Sequence, residues 1–308
     1  MRSVLLVVHT GRADILDLAR PVIDRLTDSG FEVRVNSTES TDLGYDRPRA
    51  DGSGRPGGSV TVIDGPAGAK GTEVALVLGG DGTFLRAAEY SRHARIPLLG
   101  VNLGHMGFLA EAEADALDAT VTAIVDRRYA VEERFTLRVA ATLDGELIAE
   151  DWALNEASVE KSFREKLLDV AVAVDDRPLL RFGCDGVICA TPTGSTAYAF
   201  SVGGPVVWPN IDALLLVPNA AHALFQRPLV VAPDSEISID LLSPDHPGVL
   251  SCDGRRSHDL PPGSTLRVGR SDQTVLIARP HPIPFGERLV ARFQLPVRGF
   301  RDHGPTTA

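Results

Sequence analysis

The chain has 308 residues, with 31 Lys plus Arg against 41 Asp plus Glu, a formal net charge of −10. That balance excludes the basic footprint of a nucleic-acid binder and argues against an anionic membrane surface. The 44% hydrophobic share is that of a globular protein, and no apolar run approaches the ~18 residues of a membrane span. Three cysteines without a CxxC favour a reducing, cytoplasmic setting over a disulfide framework.

Residues 4–8 form an unbroken run of Val and Leu, as expected of a strand covered on both faces. Ile15, Leu18, Ala19, Val22, Ile23 and Leu26 then recur at helical spacing, with Pro21 expected to kink or restart the helix and Gly30 to end it. A second strand is expected over 31–35, so the chain opens as β-α-β and points to a parallel sheet. Residues 37–71 lose periodicity apart from a short strand over 60–63. The formal GxGxxG at Gly52, Gly54 and Gly57 neither follows a strand nor opens a helix, and reads as loop. Strands over 73–78 and 97–101 follow, with a helix from Phe84 onward, a Gly-containing turn over 102–107 and a helix over 115–127.

From about residue 131 the period changes from helical to two-residue. Leu137, Val139 and Ala141 alternate with polar or small neighbours, Asp144-Gly145 marks a hairpin, and 147–155 returns. Alternation resumes over 168–174 with a turn at Asp175-Asp176, again over 237–241, and in a last strand pair over 266–278. The expected architecture is an α/β N-terminal domain with a parallel Rossmann-like sheet, residues 1–130, followed by a β-rich, antiparallel, sandwich-like domain, residues 131–279. The tail, 280–308, contains a short helix over 285–293 and is expected to pack back on the first domain.

Two segments carry the most chemistry. Gly79-Gly80-Asp81-Gly82-Thr83 lies between a strand and a helix start, where free N–H groups and the helix dipole favour an anion. Asp81 there suits a metal ion or a substrate hydroxyl, or it caps the helix. Thr191-Pro192-Thr193-Gly194-Ser195-Thr196-Ala197-Tyr198-Ala199-Phe200-Ser201 packs hydroxyls and a glycine after an apolar strand, suiting phosphates or a ribose as well as an ordinary loop. Asn155-Glu156 at a strand end offers a donor and acceptors to a ribose or base edge, or is a capping pair. No Walker A, G-x-S-x-G elbow or metal-ligand spacing occurs, so no metal is assigned to side chains. Cys184 and Cys189 read as small core residues, and His222 as a satisfied histidine.

In this order, Gly79-Gly80-Asp81-Gly82-Thr83, Asn102-Leu103-Gly104-His105-Met106-Gly107-Phe108-Leu109, Asn155-Glu156, and Asp185-Gly186 followed by 191–198 resemble the bacterial NAD kinases (ATP/polyphosphate-NAD kinases) over essentially the whole chain. The resemblance implies transfer of the ATP γ-phosphoryl to the adenosine ribose 2′-hydroxyl of NAD, giving NADP. It implies that Asp81 receives the hydroxyl proton, and that Gly79, Gly80, Gly82 and Thr83 line the phosphates. Arg86 and Lys166 would contact the dinucleotide, and Asn155 and Glu156 would hold adenine and ribose. Asp185 would reach the nicotinamide end bound to a neighbouring subunit, and Thr193, Thr196, Ala197, Tyr198, Ala199, Phe200 and Ser201 would form the dinucleotide loop. Mg²⁺ carried on the nucleotide, ATP or polyphosphate as donor, and a homodimer or homotetramer complete the implied picture. Where many relatives have Gln after a late Asp-Gly, this chain has Asp253-Gly254-Arg255-Arg256, and it has Pro218-Asn219-Ala220-Ala221-His222 where many have Pro-x-x-Pro-His. The rivals are a lipid or sugar kinase sharing GGDGT and a nucleotide sensor without catalysis.

Overall fold

A computed structural model describes residues 1–9, 11–45, 58–103, 107–110, 112–113 (backbone), 116–163, 166–280 and 282–297. It divides into two units, 1–132 with 276–308 and 133–275. The chain passes between them along two long strands, β7 (Ala130–Leu143) and β18 (Thr265–Arg279).

The first unit contains β1 (Ser3–Val8), α1 (Ala13–Asp28), β2 (Glu32–Asn36), α2 (Ser37–Leu43), β3 (Ser59–Ile63), β4 (Val74–Leu78), α3 (Asp81–Ala94), β5 (Leu98–Asn102), β6 (Ala112–Glu113), α4 (Leu117–Val125) and, at the C-terminus, α6 (Phe285–Phe293). The order β5-β4-β1-β2-β3 is parallel throughout, and the last residues of β18 extend it, Ile277 pairing with Leu98 of β5. β1, β4 and β5 are buried at every position because helices cover both faces, which is why their sequences read as continuous apolar runs. Each fully buried Val or Leu there contributes about 1.5–3 kcal/mol. Strand order reverses between β1 and β4. Ligands bind at such switch points, beyond the carboxyl ends of the strands, and the loop after β4 is Gly79-Gly80.

The second unit contains β8 (Glu146–Ala153), β9 (Glu156–Lys161), β10 (Leu168–Val174), β11 (Arg177–Cys184), β12 (Gly186–Ala190), a four-residue helical turn α5 (Tyr198–Ser201), β13 (Leu214–Asn219), β14 (Leu229–Val231), β15 (Ile237–Leu241), β16 (Gly248–Cys252) and β17 (Arg256–Leu260). One sheet joins β11-β10-β15-β18-β7-β8 and the other β14-β13-β12-β9-β16-β17. Alternate residues of both, such as Val139, Val170, Ile239 and Val268 against Val159, Val187, Leu216 and Leu250, share one core. The opposite face of the second sheet is also covered: Ile188, Ala190, Leu215 and Val217 pack with Ala199 and Val207 from the segment after β12. Asp144-Gly145 and Asp175-Asp176 both turn with positive φ, closing tight hairpins.

Three expectations need correction. Helix α1 runs through Pro21 without restarting. Pro21 and Asp17, the residue one turn earlier whose carbonyl loses its donor, are both exposed, so that carbonyl is not stranded in the core. Residues 37–71 are not all loop, since α2 forms on Asn36, whose side chain accepts from the Thr38 N–H. Its polar sequence hides the buried Glu39, Ser40 and Leu43. The last strand pair is one 15-residue strand, β18, which pairs with β15, β7 and β5 at different points along its length. The GxGxxG stretch, the middle of the 102–107 turn and residues 298–308 lie outside the described residues.

Candidate functional site

In the first unit the chain turns sharply after β4. Gly79 has φ of +155° and an added Cβ would stand 2.6 Å from Thr83 Oγ1, so only glycine fits. The N–H groups of Thr83 and Phe84 close the first helical turn on the Gly80 carbonyl. Those of Asp81 and Gly82 precede that turn and have no intrahelical partner. A Cβ at Gly80 or Gly82 would meet nothing within 4 Å, so the backbone is open to a close ligand. Asp81 is the first residue of α3, and its carboxylate turns back onto residues 108–110. Phe108 N–H donates to Oδ2 at 3.1 Å, and Leu109 and Ala110 donate to Oδ1 at 3.1 and 3.5 Å. At Gly107 an added Cβ would lie 2.1 Å from Asp81 Oδ1, so any larger residue there would displace the carboxylate. Oδ2, with a single donor, keeps a lone pair for an alcohol.

Arg86, one turn along α3, bonds the Val8 carbonyl at 2.6 Å and pairs with Glu39 at 2.7 Å. Glu39 in turn accepts from the Val8 N–H, so α2, α3 and the carboxyl end of β1 meet on one ion pair. Burial pushes the Glu39 carboxyl up to about 7 despite Arg86.

In the second unit β9, β12 and β16 bring three segments together at one end. Glu156 pairs with Ala190 and Ala157 with Cys252. The Asp253 carboxylate receives the N–H groups of Leu154 at 3.0 Å and Asn155 at 2.7 Å, while its own N–H donates to the Glu156 carbonyl. Thr191 closes the other side, its hydroxyl donating to Leu154 O at 2.6 Å and its N–H to Asn155 O at 2.9 Å. Gly194 lies against Asn155, where a Cβ would be 2.1 Å from the carbonyl oxygen. Ser195 is fully buried and bonds Pro192 O and both main-chain groups of Val207, a structural use of the hydroxyl.

Thr193, Thr196, Ala197 and Tyr198 are half-buried along two short helical turns, Ala199 is buried, and Phe200 and Ser201 are exposed. Within this closely bonded cluster Asn155 Oδ1 and Glu156 Oε2 are buried without a hydrogen-bond partner. Burial, with the nearby Asp253 charge, pushes the Glu156 carboxyl up to about 8, and the Tyr198 N–H offsets only part of this.

Asp185 is not in this cluster. It precedes β12 at the other end, about 17 Å of strand from Ala190, and pairs with Lys161 at 2.5 Å. Tyr198 bridges the distance: its N–H is at Glu156 and its hydroxyl accepts from Asn219, which pairs with Gly186. Lys166 is exposed.

The family described as the ATP-NAD kinase N-terminal domain matches residues 4–129, and the ATP-NAD kinase C-terminal domain matches 154–279. An NAD kinase from Mycobacterium leprae is 51% identical over 301 residues, 97% of each chain, and NAD kinase 2 of Streptomyces coelicolor is 50% identical over 302 residues, 98% of this chain and 97% of that one. The chain belongs to the NAD kinase family. With the family comes its reaction class, phosphoryl transfer to an alcohol. The fold is shared with a yeast NADH kinase complexed with NADH, at a TM-score of 0.84 and 23% identity over 100% of this chain and 90% of that one. An Archaeoglobus fulgidus NAD kinase in complex with ATP gives 0.65 and 24% over 96% and 98%.

Sequence reading of this NAD kinase missed Asp253, the N–H groups of residues 108–110, and Glu39. Asp253 and Gly254 both have positive φ and turn the chain between β16 and β17, but nothing local says that the carboxylate reaches Leu154 and Asn155. Arg256 joins this group, bonding Asp151 at 2.8 Å and Asp253 at 3.3 Å and stacking on Trp152, whereas Arg255 is exposed.

Glu156 gives a prediction with a definite sign. Its folded-state value of about 8 lies above the ordinary 4.5, so the unfolded chain releases this proton first. Its contribution to stability is therefore present below pH 4.5 and is lost as pH rises toward 8. Glu156→Gln should be more stable than the parent by on the order of 2 kcal/mol at pH 9 and similar to it at pH 4. Urea unfolding of both proteins at the two pH values, without nucleotide, checks this; equal gaps at both would sink it.

Proposed function

We propose that this chain transfers the γ-phosphoryl group of ATP to the 2′-hydroxyl of the adenosine ribose of NAD, and that the residues described above carry the reaction. Residues 131–279 serve as the NAD-binding part. The observation that carries this reading is the pair of buried oxygens without partners, Asn155 Oδ1 and Glu156 Oε2, in a cluster whose other groups are bonded. A ligand there must bring N–H or O–H donors, as an adenine amino group and ribose hydroxyls do. Thr193, Thr196, Ala197, Tyr198, Ala199, Phe200 and Ser201 line the same dinucleotide.

Asp81 accepts a hydrogen bond from the 2′-hydroxyl, orients its oxygen toward the γ-phosphorus, and takes the proton late, as the P–O bond forms. A carboxylate is too weak a base to ionise an alcohol beforehand, so orientation is its larger contribution. In the loop of Gly79, Gly80, Gly82 and Thr83 the open N–H groups of Asp81 and Gly82 hold phosphate oxygens, and Arg86, fixed by Glu39, adds positive charge beside them. Among the described residues no group of three or more His, Cys, Asp or Glu could hold a metal ion. Mg²⁺ carried on the nucleotide phosphates would supply positive charge to the transferring group, and Asp81 would be the hard oxygen donor of the loop.

Asp185, at the far end of β12 from Asn155, and Lys166 make separate dinucleotide contacts, Asp185 with a molecule bound to a neighbouring subunit of a homodimer or homotetramer. The protein works in the cytoplasm. Among the described residues no helix is long and apolar enough to cross a membrane.

Purified protein given NAD, ATP and Mg²⁺ should produce NADP, read with an NADP-specific dehydrogenase, with one ADP released per NADP. ADP release without NADP, or neither product, would overturn the reading. Polyphosphate in place of ATP tests the alternative donor.

A further inference from the structure

We propose that Arg288, on the C-terminal helix α6, is a positioning residue for Asp81 and acts through the peptide group that joins Phe108 to Leu109. This rests on the reading of Asp81 as the residue that meets the substrate hydroxyl. Arg288 Nη1 donates to the Phe108 carbonyl at 3.0 Å. The N–H of that same peptide group belongs to Leu109 and donates to Asp81 Oδ1 at 3.1 Å. A cationic donor on the carbonyl polarises the amide and strengthens the hydrogen bond its N–H makes, so the guanidinium charge is relayed to the carboxylate across one rigid plane. The neighbouring Phe108 N–H holds the other oxygen, so both carboxylate oxygens depend on where residue 108 sits.

The same helix also holds the Phe108 side chain. Its ring packs against Phe285 at 6.2 Å and Phe293 at 5.6 Å between centroids, and the Arg288 guanidinium lies over Phe285 at 5.3 Å. Backbone and side chain of residue 108 are thus both set by α6, which lies 180 residues downstream. Arg288 is buried, with 6% exposure. A buried guanidinium is a poor way to gain stability, since an apolar side chain of similar length fills the space without the desolvation cost. Its place beside the loop that holds Asp81 points to positioning.

Two variants test this. Arg288→Met keeps length and apolar contact but loses the donor, and Arg288→Lys keeps one charged donor. For Arg288→Met we expect kcat to fall about ten- to a hundredfold with the KM for NAD little changed. The Leu109 amide should exchange with solvent faster while the β4 amides keep their protection, and Arg288→Lys should lie between Met and the parent on both measures. A kcat for Arg288→Met within about twofold of the parent overturns the proposal, and so does unchanged exchange at Leu109. If Arg288→Met does not fold, Arg288→Lys decides by the same two readouts. Amide exchange does not depend on what Asp81 does in the reaction. Normal turnover by Asp81→Asn would therefore remove the reading of the site, whereas an inactive Asp81→Asn beside an indifferent Arg288→Met would remove this proposal alone.

Discussion

Replacing Asp81 with Asn is expected to leave a folded protein that still binds NAD and whose phosphoryl transfer is slower by about two to four orders of magnitude. The substitution preserves size, so α3 can still start at the same place and the loop can keep its course. What changes is the bonding capacity of the two terminal atoms. In the parent both oxygens accept, from Phe108 on one side and from Leu109 and Ala110 on the other. Asn presents one oxygen and one NH₂ group, and the NH₂ must face an N–H donor, at a cost of about 1–3 kcal/mol in local stability. The larger loss is chemical. As the ribose oxygen bonds to phosphorus its proton needs an acceptor, and an amide neither takes the proton nor orients the hydroxyl as a carboxylate does. Single-turnover measurement of NADP formation, with NAD binding measured separately, separates the two effects. Near-normal turnover by the variant would remove Asp81 from the reaction.

The second large effect is expected at Asp253, and it is one of stability. Asp253→Ala removes the acceptor for the N–H groups of Leu154 and Asn155 and one partner of Arg256. Two buried donors are then left without acceptors, which together costs about 3–5 kcal/mol. One effect opposes this. Asp253 is itself buried, its carboxyl raised by desolvation, and its charge raises Glu156, so removing it relieves that pair. The lost bonds win, because relief matters only where Glu156 would ionise, whereas the stranded N–H groups are a penalty at every pH. We expect Tm to fall on the order of 10 °C. Affinity for NAD should fall as well, because Asn155 loses the contact that aims it. Asp253→Asn, which keeps one acceptor, should lie between. A Tm for Asp253→Ala within about 2 °C of the parent would show that Leu154 and Asn155 find other partners.

These residues mark where sequence reading succeeds and where it stops. The strands of the first unit were legible because burial on both faces demands uninterrupted Val and Leu, as in Val74–Leu78. Strands β10 and β15 were legible because one buried face imposes strict alternation, as in Leu168–Val174 and Ile237–Leu241. Helix α6 was legible from its spacing at Phe285–Phe293. Helix α2 was not, since Ser, Thr, Glu and Asp favour caps and turns as readily as helix, and the burial of Glu39 depends on Arg86 and Val8 far along the chain. The long β18 was read as two strands because its polar stretch over 269–272 resembles a turn. Continuity there comes from successive partners, β15, β7 and β5.

By itself the sequence determined the local pieces of the candidate site: a glycine turn that opens a helix, an Asn-Glu pair expected at the end of one strand and found where the next begins, and a hydroxyl-rich segment after an apolar one. Each follows from the backbone freedom of glycine, from helix-end geometry, or from short-range hydrogen bonding, all of which act within a few residues. Only the tertiary structure decided what holds those pieces in place. Asp81 is held by amides 27 to 29 residues away, Asn155 by a carboxylate 98 residues away, and residue 108 by an arginine 180 residues away. A hydrogen bond has no period and leaves no pattern in either partner's neighbourhood. A buried acceptor and its donors are therefore matched only when folding takes both out of water.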